Sequence, residues 1–391
     1  MMSKFRTFVL VGIICIIGSL GYVIAGFSQS PQASVRLITE PPIAQIMPSP
    51  VTLKFQALKS DGQPLQDTQF RLQILTPAPT PWFTTDFPIV EGTRLLDIQG
   101  AAPTGKFQVQ QALPIRGTYR LQVNVTPTVE NAFPPIEQTL TLAVPENPVK
   151  YRNLLILLGA LLAIGFLGGW VIGDRQSIRP GEIAPRRVQL LLSGVTVLAI
   201  VVLLFINISA ELADAHGEIT HGNETPQSSS TPQSSSTGFA QVKDFKLKLS
   251  GDQQATVGQL ATLQAKLTNS QTNQPIANAA FTITATQLEN NWIAFSHQGT
   301  ADAQGQLTWQ QQFFDGAPHR IEVTANPKSA SSQNNGSFQL LRATREIEVE
   351  GVAPPLSVRL ISLFYCISAL SVGLATGFWL KRRQVPHLKG I

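Results

Sequence analysis

Cysteine is nearly missing from this chain, whose 391 residues include only Cys15 and Cys366. Both lie inside long apolar runs, and the two large polar regions contain none. No disulfide can therefore support those polar regions, even in an oxidising compartment, and a disulfide-stapled scaffold is excluded. We interpret each cysteine as an apolar filler rather than as half of a redox pair.

Motifs that carry chemistry are missing as well. The sequence contains no nucleophile elbow, phosphate-binding loop, zinc-finger spacing or paired-carboxylate signature. Its four longest apolar runs contain no Asp, Glu, Lys or His, the residues that mark ion and proton routes through a membrane. We therefore expect neither an enzyme nor a transporter.

What the sequence does contain is four apolar runs, at residues 8–27, 154–172, 188–208 and 358–380. Each has about 20 residues, which as a helix rising 1.5 Å per residue would span the roughly 30 Å hydrocarbon core of a bilayer. They predict four transmembrane helices. The first run also fits a cleavable signal peptide; we favour an uncleaved anchor, but both alternatives stay open.

The charges are distributed unevenly about these runs. The formal net charge is +5. The segments 1–7, 173–187 and 381–391 hold ten Lys or Arg against Asp174 and Glu182, a balance of +8, which leaves −3 for the rest of the chain. This is the positive-inside signature of cytoplasmic segments rather than a polyanion-binding surface, so we expect no nucleic-acid partner. We expect a protein of the bacterial inner membrane or thylakoid with both termini in the cytoplasm.

The polar regions at 28–150 and 240–351 share a period-two alternation of apolar and polar residues, as at Val51 and Leu53. Such short runs between turn residues predict half-buried antiparallel strands, and several of them in a region of about 115 residues predict a β-sandwich. The segment at 209–239 lies between the third apolar run and the second polar region. It includes a tandem TPQSSS repeat and predicts a disordered linker.

Three ungapped matches relate the two halves of the chain in the same order. The matches pair residues 63–72 with 274–283, 105–125 with 305–325, and 164–176 with 372–384. We infer that a unit of helix, sandwich and helix is repeated in tandem. The predicted fold class is therefore a multi-domain membrane protein with two all-β immunoglobulin-like sandwiches, both extracytoplasmic, and four transmembrane α-helices.

The sandwich pattern resembles the small extracytoplasmic immunoglobulin-like modules of the YtkA/FixH-like kind. The resemblance rests on a Gln-Pro-Leu or Gln-Pro-Ile turn (63–65 and 274–276), followed by an Asp or Asn, an apolar strand, a Gly-led strand and a final Arg-led strand. Such modules sit on the outer face of bacterial membranes and are often associated with metal or respiratory-complex biogenesis, so the resemblance implies that fold and setting. No ligand motif of those modules occurs here, and the resemblance assigns no functional residue.

Glycines recur at a four-residue spacing in two of the apolar runs, as Gly165 and Gly169 in one and Gly373 and Gly377 in the other. This small-xxx-small spacing lets two helix backbones approach closely. We predict that these helices pack on each other or on a partner helix. The alternative is that glycine is simply common in membrane helices.

One short segment at the start of the linker has the composition of a metal site. It contains Asp214, His216, Glu218 and His221. Imidazole and carboxylate ligands suit Cu(II) or another divalent metal, and His297 and His319 of the second polar region could join them across space. The two linker histidines lie five residues apart, which does not align them on a helix, so a solvated polar segment is the alternative.

The Pro-rich stretch of the first polar region holds Trp82 and Phe83, which fit an exposed partner-binding anchor. Trp292 stands at nearly the same place in the second half, and this repetition favours packing over docking. The function we expect is non-catalytic: an accessory or assembly subunit that lies in the lipid bilayer and holds other proteins of a membrane complex. The alternative is extracytoplasmic handling of copper or a similar metal through the linker.

Overall fold

The structure is a computed structural model. It describes residues 33–173 except 45, 47, 48, 81, 83, 84 and 86, residues 188, 189 and 194, residues 238–326 except 243 and 244, and residues 340–384. Within these residues the elements are, in chain order, β1 (Ser34–Glu40), β2 (Val51–Leu58), β3 (Thr68–Leu75), a 3-10 turn (Pro88–Val90), β4 (Arg94–Ala102), β5 (Lys106–Gln111), β6 (Gly117–Pro127), β7 (Ile136–Val144), α1 (Pro148–Ile172), β8 (Phe239–Val242), β9 (Phe245–Gly251), β10 (Gln254–Thr256), β11 (Leu260–Asn269), β12 (Ala280–Gln287), β13 (Ile293–Thr300), β14 (Gln306–Gln312), β15 (His319–Asn326), β16 (Leu341–Glu350) and α2 (Leu356–Gln384).

The strands form two eight-stranded sheets that pack face to face. One has the order β1-β2-β5-β13-β12-β15-β16-β10, and the other has the order β7-β6-β3-β4-β14-β11-β9-β8. Each strand turns one side to the core because its apolar residues alternate: Val51, Leu53 and Phe55 of β2 are all buried. The rings of Phe70 and Phe107, from different sheets, stack at 5.4 Å across the core.

The two halves of the chain follow the same strand order. In the first half β1-β2-β5 faces β4-β3-β6-β7, and in the second half β9-β11-β14 faces β13-β12-β15-β16. All these pairings are antiparallel, whereas the short strand β10 adds to β16 in parallel. Seven antiparallel strands divided three and four between two sheets are the architecture of an immunoglobulin-like sandwich.

The matched turns also have the same backbone conformation in both halves. Asp67 and Asn278, which follow the Gln-Pro turns, have positive φ angles of 50° and 58°, and Gly105 and Gly305 have 68° and 67°. Asp, Asn and Gly adopt this left-handed region at the least cost. At Gly105 a side chain is excluded outright, because a Cβ there would overlap the carbonyl oxygen of Leu65.

The halves are joined edge to edge in both sheets. In one sheet β5 pairs with β13, which places Gln111 opposite Phe295. In the other β14 pairs with β4, which places Gln311 opposite Leu96. Gln111 and Gln311 are aligned in the sequence matches, so each half presents the same strand edge to the other, in the manner of an isologous two-fold interface. A continuous core of buried residues extends through both halves.

Both helices leave the sandwich at one end. The β6–β7 pairing puts Val144 beside Gly117, and α1 begins at the near end of β7 with Pro148, where the Asn147 side chain accepts a hydrogen bond from the Val149 N–H at 3.0 Å. Helix α2 follows β16 in the same way. We call this end the base; the strand directions bring to it the described residues of the loops at 41–50, 76–93, 112–116, 252–259, 288–292 and 313–318.

The predicted fold class is wrong in two respects. The described residues contain two long helices rather than four, and the strands form two large sheets that each combine both halves rather than two separate sandwiches in a tandem helix–sandwich–helix repeat. Edge pairing produces the shared sheets, because the outer strands β4, β5, β13 and β14 carry free main-chain groups that bond to each other. The helices predicted at 8–27 and 188–208 fall outside the described residues, apart from residues 188, 189 and 194.

The two helices that the structure does describe, α1 and α2, are long and apolar enough to cross a membrane. Both begin nearer to the preceding strand than the predicted runs at 154–172 and 358–380, and α2 also continues beyond residue 380 to Gln384.

Candidate functional site

The four sequence-matched glycines lie at the contact between α1 and α2. A Cβ on Gly165 would overlap the carbonyl oxygen of Leu370, and a Cβ on Gly373 would overlap that of Leu162. Gly169 and Gly377 meet the partner helix one turn further on in the same manner: a Cβ on Gly169 would lie 2.8 Å from the Phe378 nitrogen, and one on Gly377 would lie 2.8 Å from the Trp170 nitrogen. Backbones this close need residues without side chains, so the glycines determine the helix pairing.

The faces of α1 and α2 that point away from this contact are apolar and exposed. They include Leu155, Ile156, Leu167, Leu363, Phe364 and Ile367. A continuous exposed apolar surface along two helices is typical of a contact with a membrane or with another protein.

The ends of the helices far from the sandwich carry aromatic rings and cations together. The Lys381 ammonium lies 5.2 Å from the ring centre of Trp170 on the neighbouring helix, and the Arg383 guanidinium lies 3.7 Å from that of Trp379. Trp and basic residues both favour the boundary between a bilayer and water. This end of α2 therefore has the side-chain chemistry that is typical of such a boundary.

At the base, one tyrosine fastens the β5–β6 loop of the first half. The Tyr119 hydroxyl donates to the Ile115 carbonyl at 2.7 Å and accepts from the Ile115 N–H at 3.0 Å. Burial raises the pKa of Tyr119, so the hydroxyl stays protonated. A buried tyrosine bonded to the backbone a few residues upstream, at this strand position, is a hallmark of immunoglobulin-like sandwiches.

The second half has a histidine at the equivalent position. The Nδ1–H of His319 donates to the Ala317 carbonyl at 2.8 Å, and its Nε2 lies 3.9 Å from the Asp315 carboxylate. Burial lowers the pKa of His319 to about 4, against the smaller opposing effect of the hydrogen bond to Ala317, while burial raises the pKa of Asp315. The neutral imidazole of His319 therefore holds the β14–β15 loop in place through this hydrogen bond.

His297 lies at the junction of the two halves, opposite Val109 of β5. Its Nδ1–H donates across the junction to the Gln108 carbonyl at 2.9 Å, which fixes the tautomer and leaves Nε2 buried without a hydrogen-bond partner in the described residues. Its ring contacts Phe107 at 4.8 Å. Burial lowers the pKa of His297 to about 4, so it is neutral at pH 7.

The outer face of the first half carries a polar groove of about 460 Å³. It is lined by Arg71, Gln73, Gln122, Val123, Asn124, Glu137, Gln138 and Thr139. Beside it Asp97 accepts hydrogen bonds from Arg71 (3.0 and 3.1 Å) and Gln73 (2.6 Å), which connect the side chains along this wall of the groove.

The predicted metal ligands Asp214, His216, Glu218 and His221 lie outside the described residues, so metal binding stays a prediction. In the described part of the chain no three His, Cys, Asp or Glu side chains come close enough to share a metal ion. His297 and His319 are buried in separate places, each against its own aromatic neighbour.

The two matched tryptophans have different surroundings. Trp292 packs on Phe314, with ring centres 5.2 Å apart, as the repetition predicted. Trp82 is instead 67% exposed, so the predicted packing is wrong at this position, and its carbonyl accepts a hydrogen bond from the Tyr365 hydroxyl of α2. Phe83 lies outside the described residues.

Sequence reasoning missed the junction between the halves. The signal was present, since Gln110-Gln111 and Gln310-Gln311 recur at matched positions, where the second glutamine of each pair interrupts the alternation of apolar and polar residues. Gln111 donates to the Ala294 carbonyl across the junction at 3.2 Å, and Gln311 is fully buried beside Leu96. In both halves the buried amide therefore lies at the strand edge that pairs with the other half.

No family model and no curated protein matches the sequence. Among solved structures, the CARDB domain of a Pyrococcus furiosus protein in complex with di-metal ions aligns at 14% identity, covering 29% of this chain and 97% of that one, with a TM-score of 0.19. A copper-bound variant of FetP from uropathogenic Escherichia coli aligns at 12% identity, covering 31% and 95%, with a TM-score of 0.21. The Yersinia pseudotuberculosis adhesin InvE aligns at 11% identity, covering 81% of this chain and 61% of that one, with a TM-score of 0.19. At these TM-scores the likenesses assign neither a family nor a function, and the immunoglobulin-like fold rests on the strand order and the tyrosine of the base.

Proposed function

We propose that this protein is a membrane-anchored, non-catalytic interaction protein: an accessory or assembly subunit that holds other proteins of a membrane complex. The observation that carries the proposal is the pairing of α1 and α2 through Gly165, Gly169, Gly373 and Gly377 at one end of a single two-layer sandwich. Two anchors locked together fix the orientation of the sandwich over the bilayer more firmly than one flexible anchor does, which suits a platform for partners.

The distribution of charge supports an orientation for this platform. Lys381, Arg382 and Arg383 end α2 on the side away from the sandwich, and cationic segments next to a membrane helix remain in the cytoplasm. We propose that the sandwich faces the periplasm or the thylakoid lumen of a bacterial cell. The exposed faces of α1 and α2 then contact lipid or partner helices.

Affinity purification of the full chain in mild detergent tests the proposal. We expect one or more membrane proteins to be recovered in fixed proportion to the chain, and recovery of the chain alone would contradict the proposal.

The polar groove of the first half supplies a more specific variant. Asn124→Lys adds charge to the groove wall, and we expect it to reduce recovery of a partner that docks on the sandwich. Thr324→Lys is the matched control, since Thr324 occupies the equivalent strand position in the second half. Equal recovery with both variants would place the partner on the helices instead.

A further inference from the structure

The base of the first half differs from the base of the second half in its exposed residues. In the first half Ile43 is 68% exposed and Trp82 is 67% exposed. The matching β12–β13 loop of the second half exposes Glu289, Asn290 and Asn291 instead, while its tryptophan is stacked on Phe314. Among the described residues of the base loops, the two most exposed large apolar side chains thus both belong to the first half.

The position of Trp82 along α2 sets its height relative to a bilayer. The uncharged stretch of α2 at residues 360–380 has 21 residues, about 31 Å of helix, which matches the hydrocarbon core. Tyr365, whose hydroxyl donates to the Trp82 carbonyl, lies six residues after Arg359, or about 9 Å along the axis. Helical side chains lean towards the N-terminus, so the Tyr365 hydroxyl lies higher than its Cα, near the top of the uncharged stretch.

Trp82 is therefore beside the start of the hydrocarbon core, not above it. Tryptophan is the side chain that most favours this boundary, because its ring is apolar and its N–H can reach the headgroups. From this geometry we propose that the base of the first half is a membrane-binding surface, in which Trp82 and Ile43 enter the boundary between lipid headgroups and acyl chains. The second half stays above that boundary, because its exposed carboxylate and amides are costly to remove from water.

This inference rests on the proposed function, because it requires that α2 spans the bilayer. Its consequence is a tilted platform: one half of the sandwich is held in the membrane surface and the other is lifted clear of it. The loop that carries Trp82 is held from both sides, since Tyr365 binds it on one side and Phe87 packs edge to face on Phe314 of the second half at 5.4 Å on the other.

The experiment measures tryptophan fluorescence of the full chain in nanodiscs whose lipids carry bromine on the acyl carbons near the headgroups. Three single-tryptophan variants are compared, with the other four tryptophans replaced by Phe, so that only Trp82, only Trp292 or only Trp379 remains. We expect brominated lipid to reduce the emission of Trp82 relative to plain lipid, as an interfacial ring requires, and to leave the emission of Trp292 unchanged. Trp379 reports on the helix pair and should be quenched.

The outcomes separate the inference from the proposed function. Quenching of Trp379 without quenching of Trp82 overturns the membrane-binding surface while α2 still spans the bilayer. Equal quenching of Trp82 and Trp292 would show that both halves of the sandwich reach the membrane surface to the same extent, and would contradict the proposed tilt. If none of the three is quenched, the membrane anchoring itself fails.

A second measurement covers the case in which loss of the buried Trp309 impairs folding. In that case the wild-type chain is compared with two single variants, and the measured quantity is the fraction of the emission that brominated lipid quenches. This fraction should be larger in wild type than in Trp82→Phe, and the same in wild type as in Trp292→Phe. An equal quenchable part in wild type and Trp82→Phe would overturn the proposal.

Discussion

His297 connects the chemistry of one side chain to the joining of the two halves. Its Nδ1–H crosses from β13 to the Gln108 carbonyl of β5, while its Nε2 is enclosed by Gly100, Gly299 and Phe107. Protonation of Nε2 would bury an imidazolium charge away from water, and this is why burial lowers the pKa of His297. We therefore expect the junction to be sensitive to acid.

We predict that His297 reduces stability in acid. The pKa is near 6.5 in the unfolded chain and about 4 in the folded one, so the unfolded state binds the extra proton as pH falls from 6.5 to 4. The free energy of unfolding is therefore unaffected by His297 above pH 6.5 and decreases as pH falls from 6.5 to 4. Below pH 4 both states bind the proton, and His297 causes no further decrease. At pH 4.5 the loss is about 2–3 kcal/mol.

Urea unfolding of the detergent-solubilised chain at pH 7 and pH 4.5 measures this loss. His297→Ile is the test variant, because Ile98 occupies the equivalent position of β4. We expect the variant to lose about 2–3 kcal/mol less stability than wild type between the two pH values. A parallel decline in both proteins would show that other groups cause the acid sensitivity. His319→Tyr, which copies Tyr119, isolates the second buried histidine.

At the scale of elements, the pairing of α1 and α2 depends on missing side chains rather than on added contacts. Without a hydrophobic driving force between helices in lipid, close packing supplies the attraction, and a single Cβ in the contact removes it. Gly169 and Gly168 provide a matched comparison, since a Cβ on Gly169 would overlap the Leu374 carbonyl whereas Gly168 has open space.

We predict that Gly169→Leu separates the helices and Gly168→Leu does not. The interhelical distance between spin labels on α1 and α2 should rise by roughly 2 Å or more in the first variant, because packed helices with side chains at the contact lie 8–10 Å apart. An unchanged distance in Gly169→Leu would mean that the linkers from β7 and β16, not the glycines, hold the helices together.

At the scale of the whole molecule, we expect the shared sheets to make the two halves one folding unit. Main-chain pairing at β5·β13 and β4·β14 continues each sheet across the junction, and side-chain bonds such as that between Thr93 and Gln312, at 2.9 Å, reinforce it. Independent sandwiches would instead unfold separately.

We predict that damage to the core of the first half weakens the second half. Phe55→Ala removes a fully buried ring from β2 and should cost about 3–5 kcal/mol. Hydrogen exchange in β11 of the second half should then accelerate along with exchange in β3. Val129→Ala, at an exposed position far from the junction, is the control that should change neither. Unaltered protection of β11 in Phe55→Ala would show that the halves fold independently.

Much of the local structure follows from residue order alone. Strands such as β2 and β12 were predictable, because alternation decides which side chains leave water. The Gln-Pro turns and Gly105 were recognisable because few residues tolerate a positive φ. Likewise α1 and α2 follow from apolar length, and their contact was foreseeable from four glycines.

Only the tertiary structure decided which strand edges meet, and with them the shared sheets, the buried place of His297 and the different environments of Trp82 and Trp292. The physical reason is that side chains specify which face of a strand is buried, whereas its edge presents the same N–H and C=O groups whatever the sequence. Residue order therefore determined what each segment of this protein is, and the fold determined which segments became neighbours.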